Sequence, residues 1–448
     1  MAVSLNEFLV ELYREYLEEA SFLYEQRLTL FDDPEITWLE IEDFEDRFEP
    51  HIDGLVVGGD LALAVCSEQA EGGDFGELHA AVRVFCRQRR EDLLDQVLAG
   101  LDVEDDEKVQ AVIDALEHEL PDEWQNKFIA MLSDPSQGQV RIAANVLGYR
   151  RISAGEELIH ALADESSPAL PSLIWAIGRI REKAAGPGLL GCMTNGDEAI
   201  RPAAALALIR SGEPQAVREC AYRVVSEDWP LLPLALSGPE SIARTLLGLG
   251  SDRSGPEWCL ALGLLGAVAA VEPLLSLLPD EALGEYAVMG LNLITGADLY
   301  ETVFIPEEID EDELFEEELE KVRKGEALYP PGEAPGTTIT ALSREPSAWQ
   351  AWWRGNQKRF QPGIRYRGGR PCSPACLVDS LASERSPRLI RQLAYEELVI
   401  RYNIDHPFES DMRVADQKQT LRRYARWNEA HARTFQDGRW YFNGNILR

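Results

Sequence analysis

The sequence predicts an all-α protein whose central part is built from repeated pairs of helices. Apolar residues recur at helical spacing through most of its 448 residues. A similar apolar pattern returns about every 30 residues between positions 140 and 300, and small Ala and Gly residues interrupt it where neighbouring helices would approach each other. One pair of helices cannot bury its apolar face alone, so we expect the pairs to stack into an α-solenoid.

Residues 1–135 are expected to form an N-terminal helical domain. Apolar side chains between Phe8 and Tyr16 lie at helical spacing, with Glu and Arg residues on the opposite face. Another apolar stripe follows at 76–100, and 116–132 adds one or two helices.

Residues 136–303 contain the repeats. The first helix of each pair is predicted at six positions: 140–148, 170–178, 200–208, 230–238, 258–266 and 288–296. Second helices are predicted between them, at 155–163 and 271–278. Pro171, Pro202 and Pro273 fall near predicted helix starts, where the missing N–H of proline leaves no hydrogen bond unmade.

Residues 304–343 are predicted to form a linker. Ten acids occupy the fourteen positions from Glu307 to Glu320, and a Pro- and Gly-rich stretch follows from Tyr329 to Gly336. Like charges repel each other, and Pro and Gly end helices. An alternative is that the acidic run is a decoy that binds a basic protein.

Residues 344–448 are predicted to form a basic C-terminal helical unit. It holds 19 Lys plus Arg against 11 Asp plus Glu, whereas residues 1–343 hold 24 and 67. Helices are expected at 389–398 and 414–427, and the aromatic stretch from Trp440 is expected to dock. Because the two parts carry opposite charge, we expect this unit to pack on the repeats as a cap.

The net charge of −35 restricts the classes of function. Phosphate neutralisation needs a basic protein surface, so the charge argues against a generic nucleic-acid binder. A protein partner with a basic surface is the natural expectation. The longest apolar run, 259–271, is too short to span a membrane. The first residues do not have the pattern of a secretory signal, and seven cysteines, an odd number, fit a reducing cytoplasm.

Five residues of the C-terminal unit are the partner-binding candidates: Trp349, Trp352, Trp353, Arg365 and Arg367. The tryptophans fall on one face of a predicted helix, and Trp and Arg are enriched at the centres of protein interfaces. The same face is also expected if the helix packs on the acidic repeats, which is the favoured interpretation. Stacking of these side chains on nucleic-acid bases is a third possibility.

No motif in the sequence indicates catalysis, a cofactor or a metal. The Gly-rich stretch 363–369 lacks the Lys-Ser/Thr that follows a phosphate-binding loop. Neither a nucleophile elbow nor a zinc-protease helix is present. Cys372 and Cys376 form the only close cysteine pair, and a zinc site needs a second pair of ligands. Their role stays open.

The repeats resemble those of the HEAT-like proteins. The similarity is carried by Leu262-Gly-Leu-Leu-Gly266 followed by Ala270-Val-Glu-Pro-Leu-Leu275, and six units cover about a third of the chain. The resemblance implies a HEAT-like α-solenoid fold. It implies nothing about function, because these motifs are structural.

A narrower resemblance covers most of the chain. The segments 55–66, 294–299 and 349–371, together with the repeats and the acidic break, are similar to an uncharacterised bacterial HEAT-like repeat family encoded near type VI secretion clusters. The resemblance implies an adaptor or immunity protein that binds a secreted effector, and no catalytic residue. Two alternatives remain. One is an enzyme of unrecognised type, which predicts a pocket where several side chains with shifted pKa values converge. The other is a nucleic-acid-associated module that acts through the Trp- and Arg-rich segment.

Overall fold

The computed structural model describes residues 4–31, 33–250, 255–307, 314–324, 328–329 and 334–447. It is predominantly helical, as predicted. The helices before residue 135 are α1 (Leu5–Leu30), α2 (Ile41–Val57), α3 (Gly59–Gly72), α4 (Phe75–Arg87), α5 (Glu91–Gly100), α6 (Asp106–Glu119) and α7 (Gln125–Met131). Those of the repeat region are α8 (Gln137–Tyr149), α9 (Gly155–Leu162), α10 (Leu170–Ile180), α11 (Gly186–Asn195), α12 (Ile200–Arg210), α13 (Pro214–Arg223), α14 (Leu231–Ser237), α15 (Glu240–Gly248), α16 (Pro256–Leu265), α17 (Val271–Leu277) and α18 (Gly284–Thr295).

Five more helices and three short hairpins complete the described chain. The helices are α19 (Glu316–Arg323), α20 (Pro346–Asn356), α21 (Pro374–Ala382), α22 (Arg388–Tyr402) and α23 (Val414–His431). The strands are β1 (Tyr300–Pro306), β2 (Gly336–Leu342), β3 (Tyr366–Arg367), β4 (Arg370–Pro371), β5 (Tyr441–Phe442) and β6 (Asn445–Ile446). They pair antiparallel as β1–β2, β3–β4 and β5–β6. Single 3-10 turns lie at Asp122–Trp124, Lys183–Ala185, Val268–Ala270 and Gln357–Arg359.

Local sequence explains where several helices begin and end. Ser4 and Asp74 each accept a hydrogen bond from the backbone of a Glu three residues on, whose side chain bonds back, and these capping boxes start α1 and α4. Pro171 lies in the first turn of α10, as its position in the sequence predicts. Gly266 and Gly296 end α16 and α18 in the left-handed conformation that glycine adopts readily.

Eight helices pack side by side in one row, in the order α4, α6, α8, α10, α12, α14, α16 and α18. The intervening helices, from α5 to α17, each pack against a neighbouring member of the row. Six members of the row, from α8 to α18, are the six first helices that the apolar pattern predicts, so their helical prediction is confirmed. The row also extends back across residue 135 into α6 and α4.

One apolar core runs along the whole row. It begins with side chains of α1, such as Leu17, and includes Phe442 close to the end of the chain. Burying each Leu or Ile side chain stabilises the fold by about 1.5–3 kcal/mol. The predicted boundary at residue 135 therefore does not coincide with a break in the core.

Two glycines allow α16 and α18 to approach closely. A Cβ atom added to Gly263 would lie 2.5 Å from the Cα atom of Gly290. Small residues at this contact are what the repeated Ala and Gly pattern predicts.

We expect Gly263→Ala to lower the free energy of unfolding by roughly 1–3 kcal/mol, because the added methyl group must push the two helices apart. Urea unfolding followed by circular dichroism measures this change. Gly100→Ala is the matched control, since among the described residues no atom lies within 4 Å of the added carbon. An equal effect of both substitutions would contradict the close approach.

The C-terminal unit lies along the C-terminal ends of the row. At α14, α16 and α18 it supplies the donors: Arg401 donates to the carbonyl of Ala235 (2.7 Å), Arg365 to that of Leu264 (2.9 Å), and the backbone of Gly368 to that of Leu293 (2.8 Å). The C-terminal end of a helix carries partial negative charge, so a basic unit is suited to this edge.

At α8, α10 and α12 the polarity of the contact is reversed. Here the row supplies Arg151, Arg179 and Arg210 from its helix ends, and the C-terminal unit supplies Glu396 and Glu409. The contact therefore combines charge pairs at one end of the row with capping of helix carbonyls at the other.

The hairpin β1–β2 was not predicted from the sequence. It joins the two ends of the segment 304–343, predicted as a linker, and α19 lies between them. Both strands are rich in β-branched residues, which favour extended structure. Part of the predicted linker lies outside the described residues: 308–313, 325–327 and 330–333. The first of these ranges contains most of the first half of the acidic run.

Candidate functional site

The structure places most of the predicted partner-binding residues in the interior. Trp349 and Trp353 are buried on α20, and Trp352 is partly buried beside Phe360. The Trp349 indole donates to the carbonyl of Ser343 (2.6 Å), and the Trp353 indole to Glu272 on α17 (2.9 Å). Among the three interpretations of the tryptophan face, this arrangement agrees with the one in which the face packs within the protein.

Arg365 and Arg367 are also buried, and they surround one carboxylate. Both pair with Glu397 on α22, and Arg401 approaches the same carboxylate at 3.4 Å. Arg365 also donates to the sulfur of Cys372 (3.0 Å). Burial, followed by repulsion from Arg365, lowers the pKa of Arg367 to about 10.

The partner-binding prediction for these side chains needs a correction. Trp349, Trp353, Arg365 and Arg367 are at most 8% exposed, so they cannot contact a partner or stack on a base in this structure. Their sequence pattern is that of an interface, but the interface lies within the chain. Cys372 and Cys376 are buried free thiols in the same region.

The opposite ends of the row form an acidic edge. Since the C-terminal ends of these helices face the C-terminal unit, their N-terminal ends lie at the other side. Nine exposed acids lie there, just before or in the first turn of α10, α12, α14, α16 and α18: Asp164, Glu165, Asp197, Glu198, Asp228, Glu257, Asp280, Glu281 and Glu285. Between 151 and 300 the described residues include 13 exposed Asp or Glu and three exposed Lys or Arg, so cations do not balance this edge.

Some of these acids have a structural role and others do not. Asp197 and Asp280 accept backbone N–H bonds at the starts of α12 and α18, and Asp164 accepts one from Ser166 in the loop before α10. The acid that follows each of them is exposed and makes no hydrogen bond or ion pair with the described residues: Glu165, Glu198 and Glu281. Bonding to the local backbone therefore explains the first acid of each pair and leaves the second unexplained.

A polar cavity of about 240 Å³ lies between the row and the C-terminal unit. The row contributes Gln110 and Glu117 from α6, Asn145 and Tyr149 from α8, and Trp175 and Arg179 from α10. The C-terminal unit contributes Gln392, Glu409, Ser410 and Asp411. Gln110 is also exposed to solvent, which places the opening on this side.

One wall of the cavity is held by ion pairs. Glu409 accepts hydrogen bonds from Arg151 (2.7 Å), Arg179 (2.9 Å) and Gln392 (2.9 Å). The side-chain amide oxygen of Gln392 in turn accepts a hydrogen bond from the backbone N–H of Ser410 (3.1 Å). The charge of Glu409 is therefore balanced, and its position is fixed.

The facing groups lack such partners. The hydroxyl of Tyr149, a residue only 7% exposed, has no hydrogen-bond partner among the described residues, and neither has Oδ1 of Asp411. Glu117 makes no hydrogen bond with the described residues, and the Asp411 carboxylate pairs only with Arg388 among them, at 3.8 Å. Polar groups of buried residues are normally paired, so the Tyr149 hydroxyl is an unsatisfied group in this wall, beside two partly exposed carboxyls, Glu117 and Asp411.

The electrostatics of the cavity disfavour negative charge on its carboxyls. Burial, followed by repulsion from Asp411 and Asp114, holds the pKa of Glu117 well above its usual range. Burial, followed by repulsion from Glu409, also raises the pKa of Asp411. Burial and then the charge of Asp411 hold the pKa of Tyr149 well above its usual range. Glu117 therefore keeps its proton to higher pH than an ordinary glutamate.

No pattern in the sequence predicts this cavity. Its key groups lie at positions 117, 149 and 411, and abundant carboxylates give no signal in a chain with 78 acids. The only local signal is Glu117 beside His118 on the apolar stripe of α6. Burial also holds the pKa of that histidine well below its usual range.

Comparison with known proteins gives no assignment: no protein-family model and no curated protein matches the sequence. Within the described ranges, every helix is too short or too polar to cross a bilayer. The described residues likewise bring no three His, Cys, Asp or Glu side chains into an arrangement that could hold a metal ion.

Proposed function

We propose that this chain is a HEAT-like α-solenoid that acts as a non-enzymatic, cytoplasmic scaffold and binds a protein with a basic surface. The row of α4 to α18, with the second helices packed against it, supports the solenoid. The acidic edge carries the functional proposal, because it repeats along the row and its acids are exposed to solvent.

The distribution of buried charge strengthens this edge. Among the described residues, seven arginines but five glutamates are buried. Burial therefore removes more positive than negative charge, and the solvent-facing surface is at least as acidic as the net charge of −35 indicates. The electrostatic field of such a negative surface accelerates the approach of a basic partner and makes binding sensitive to salt.

The partner that fits the narrower family resemblance is a secreted effector. An adaptor would deliver such an effector to the type VI machinery, and an immunity protein would block its activity. Co-expression of a basic toxic effector with and without this chain distinguishes the roles, since an immunity protein restores growth and an adaptor does not.

We expect Glu165→Lys, Glu198→Lys and Glu281→Lys together to weaken binding of the basic partner by about tenfold or more at low salt, mainly through slower association. Surface plasmon resonance at two salt concentrations measures both rates. The matched control is Glu15→Lys, Glu19→Lys and Glu71→Lys, an equal charge change at exposed positions on α1 and α3. Equal weakening by both sets, or binding that salt does not affect, would refute a specific role of the edge.

The cavity favours a second candidate, the enzyme alternative. A glutamate that keeps its proton can act as a general acid, and convergent groups with raised pKa values are typical of active sites. Incubation with a library of small amines, followed by mass spectrometry, would detect turnover that is absent in Glu117→Gln. Unchanged compounds in both samples would exclude turnover of that class.

A further inference from the structure

We propose that the cavity between the row and the C-terminal unit is a binding site for an organic cation, an alkylammonium or guanidinium group, held by Glu117, Asp411 and Tyr149. This site is separate from the acidic edge, because the cavity is lined by α6, α8 and α10 and the edge lies at the N-terminal ends of α10 to α18. The two proposals can therefore fail independently.

The unpartnered groups are mainly acceptors. Oδ1 of Asp411 and the Glu117 carboxyl face the cavity without a donor, and the Tyr149 hydroxyl can also accept. The side-chain amide of Asn145 donates to Ser172 (3.0 Å) and leaves its oxygen unused. An ammonium group supplies three donors and a guanidinium five, and neither has an acceptor, so such a cation completes this wall.

The charge balance leads to the same ligand. Glu409 is neutralised by two arginines, whereas Glu117 has no ion pair and Asp411 has only Arg388 at 3.8 Å. An anion would meet uncompensated carboxyls, and a neutral ligand would leave them unpaired. A cation removes the repulsion between Glu117 and Asp411.

An aromatic side chain in the wall suits the same group. The guanidinium of Arg179 lies 5.2 Å from the ring centre of Trp175, so this ring already contacts one cation. The rest of its surface in the cavity offers an apolar contact for the carbon chain of an amine.

The volume limits the size of the ligand. A cavity of about 240 Å³ holds on the order of eight waters at about 30 Å³ each. This suits a short alkylamine, a diamine or the end of a lysine or arginine side chain. The cation can thus come from a free small molecule or from a basic side chain of a partner.

Binding is expected to release a proton. The charged and titratable groups around Glu117 are Asp114 of its own helix, Tyr149 of α8, Arg151, Arg179 of α10, Glu409 and Asp411. Their balance, with burial, keeps the Glu117 proton in place, and a cation stabilises the ionised form instead. Affinity should therefore rise with pH until Glu117 is ionised in the free protein.

The test is calorimetric titration of the full chain with n-butylammonium and agmatine between about pH 6 and about pH 8. We expect saturable binding that strengthens with pH, with heats that reveal proton release when the buffer is changed. In Glu117→Gln and Asp411→Asn the affinity should fall about tenfold or more, and Glu117→Gln should lose the proton release. Tyr149→Phe should weaken binding less.

Matched controls separate the site from general attraction to an acidic protein. Glu107→Gln changes an exposed carboxyl on the same helix and should leave binding unchanged. Neutral n-butanol and anionic butyrate should not bind. Binding of blocked lysine or arginine amides as well would assign the cation to a partner side chain, whereas binding of free amines alone would assign it to a small molecule. Failure of every cation to bind, or equal binding by Glu117→Gln, would overturn the proposal.

Discussion

Glu397→Gln is expected to lower the free energy of unfolding by roughly 3–5 kcal/mol, which would be among the largest effects of any single substitution in this chain. The Glu397 carboxylate is buried among the guanidinium groups of Arg365, Arg367 and Arg401. Without it, three buried positive charges face each other with no carboxylate between them. Urea unfolding with fluorescence detection measures the loss.

Two further variants test the cause of this loss. Glu429→Gln removes an exposed carboxyl of α23 and should change stability by less than about 0.5 kcal/mol. Adding Arg367→Met to Glu397→Gln should recover part of the stability, because one of the unpaired charges is removed. If Glu397→Gln lowers the free energy of unfolding no more than Glu429→Gln does, the Glu397 carboxylate does not balance the charge of the three arginines.

Glu396→Gln is expected to destabilise the protein by roughly 3 kcal/mol near neutral pH, because Glu396 pairs with both Arg179 and Arg210 at the ends of α10 and α12. Although burial opposes it, the attraction of these two arginines lowers the pKa of Glu396 from 4.5 to about 2. A carboxyl whose pKa is lowered by folding stabilises the folded state above its unfolded pKa.

The effect of this substitution should therefore depend on pH. It should be fully present above about pH 5, and it should shrink as the pH falls from 4.5 towards 2, where the native carboxyl takes up its proton. Thermal unfolding of both proteins across this range measures the difference. A difference that stays constant down to the acid end would show that the ion pairs are not its source.

The helical part of the fold could be predicted because its signal is local. The pattern at Val140–Gly148 and its copies sets both the helical spacing and the small residues at contacts such as Gly263 with Gly290. The hairpin β1–β2 was missed because its strands are separated by an acidic, Pro-rich segment that resembles a linker by composition. Pairing between distant strands has no signature in a single sequence.

The candidate site was less predictable than the fold. The tryptophans and arginines near 349–367 do have the composition of an interface, but composition cannot distinguish an interface within the chain from one with a partner. Glu117 and Asp411 are brought together by packing of the C-terminal unit, and no motif connects them. The acidic edge follows from the repeats, since its acids return at each helix start, but the sequence alone did not show which side the C-terminal unit covers.

The docking of the C-terminal unit has a consequence for synthesis of the protein. Arg151, Arg179 and Arg210 find their carboxylate partners only after residue 396, and Arg27 donates to the backbone carbonyl of Asp411 at 2.7 Å. While residues 344–448 are still being translated, the helices that have already emerged have unpaired arginines and uncapped ends. We expect the nascent chain to need chaperones during this interval, and a premature stop codon between residues 344 and 396 to yield a product that is degraded rather than a shorter working protein.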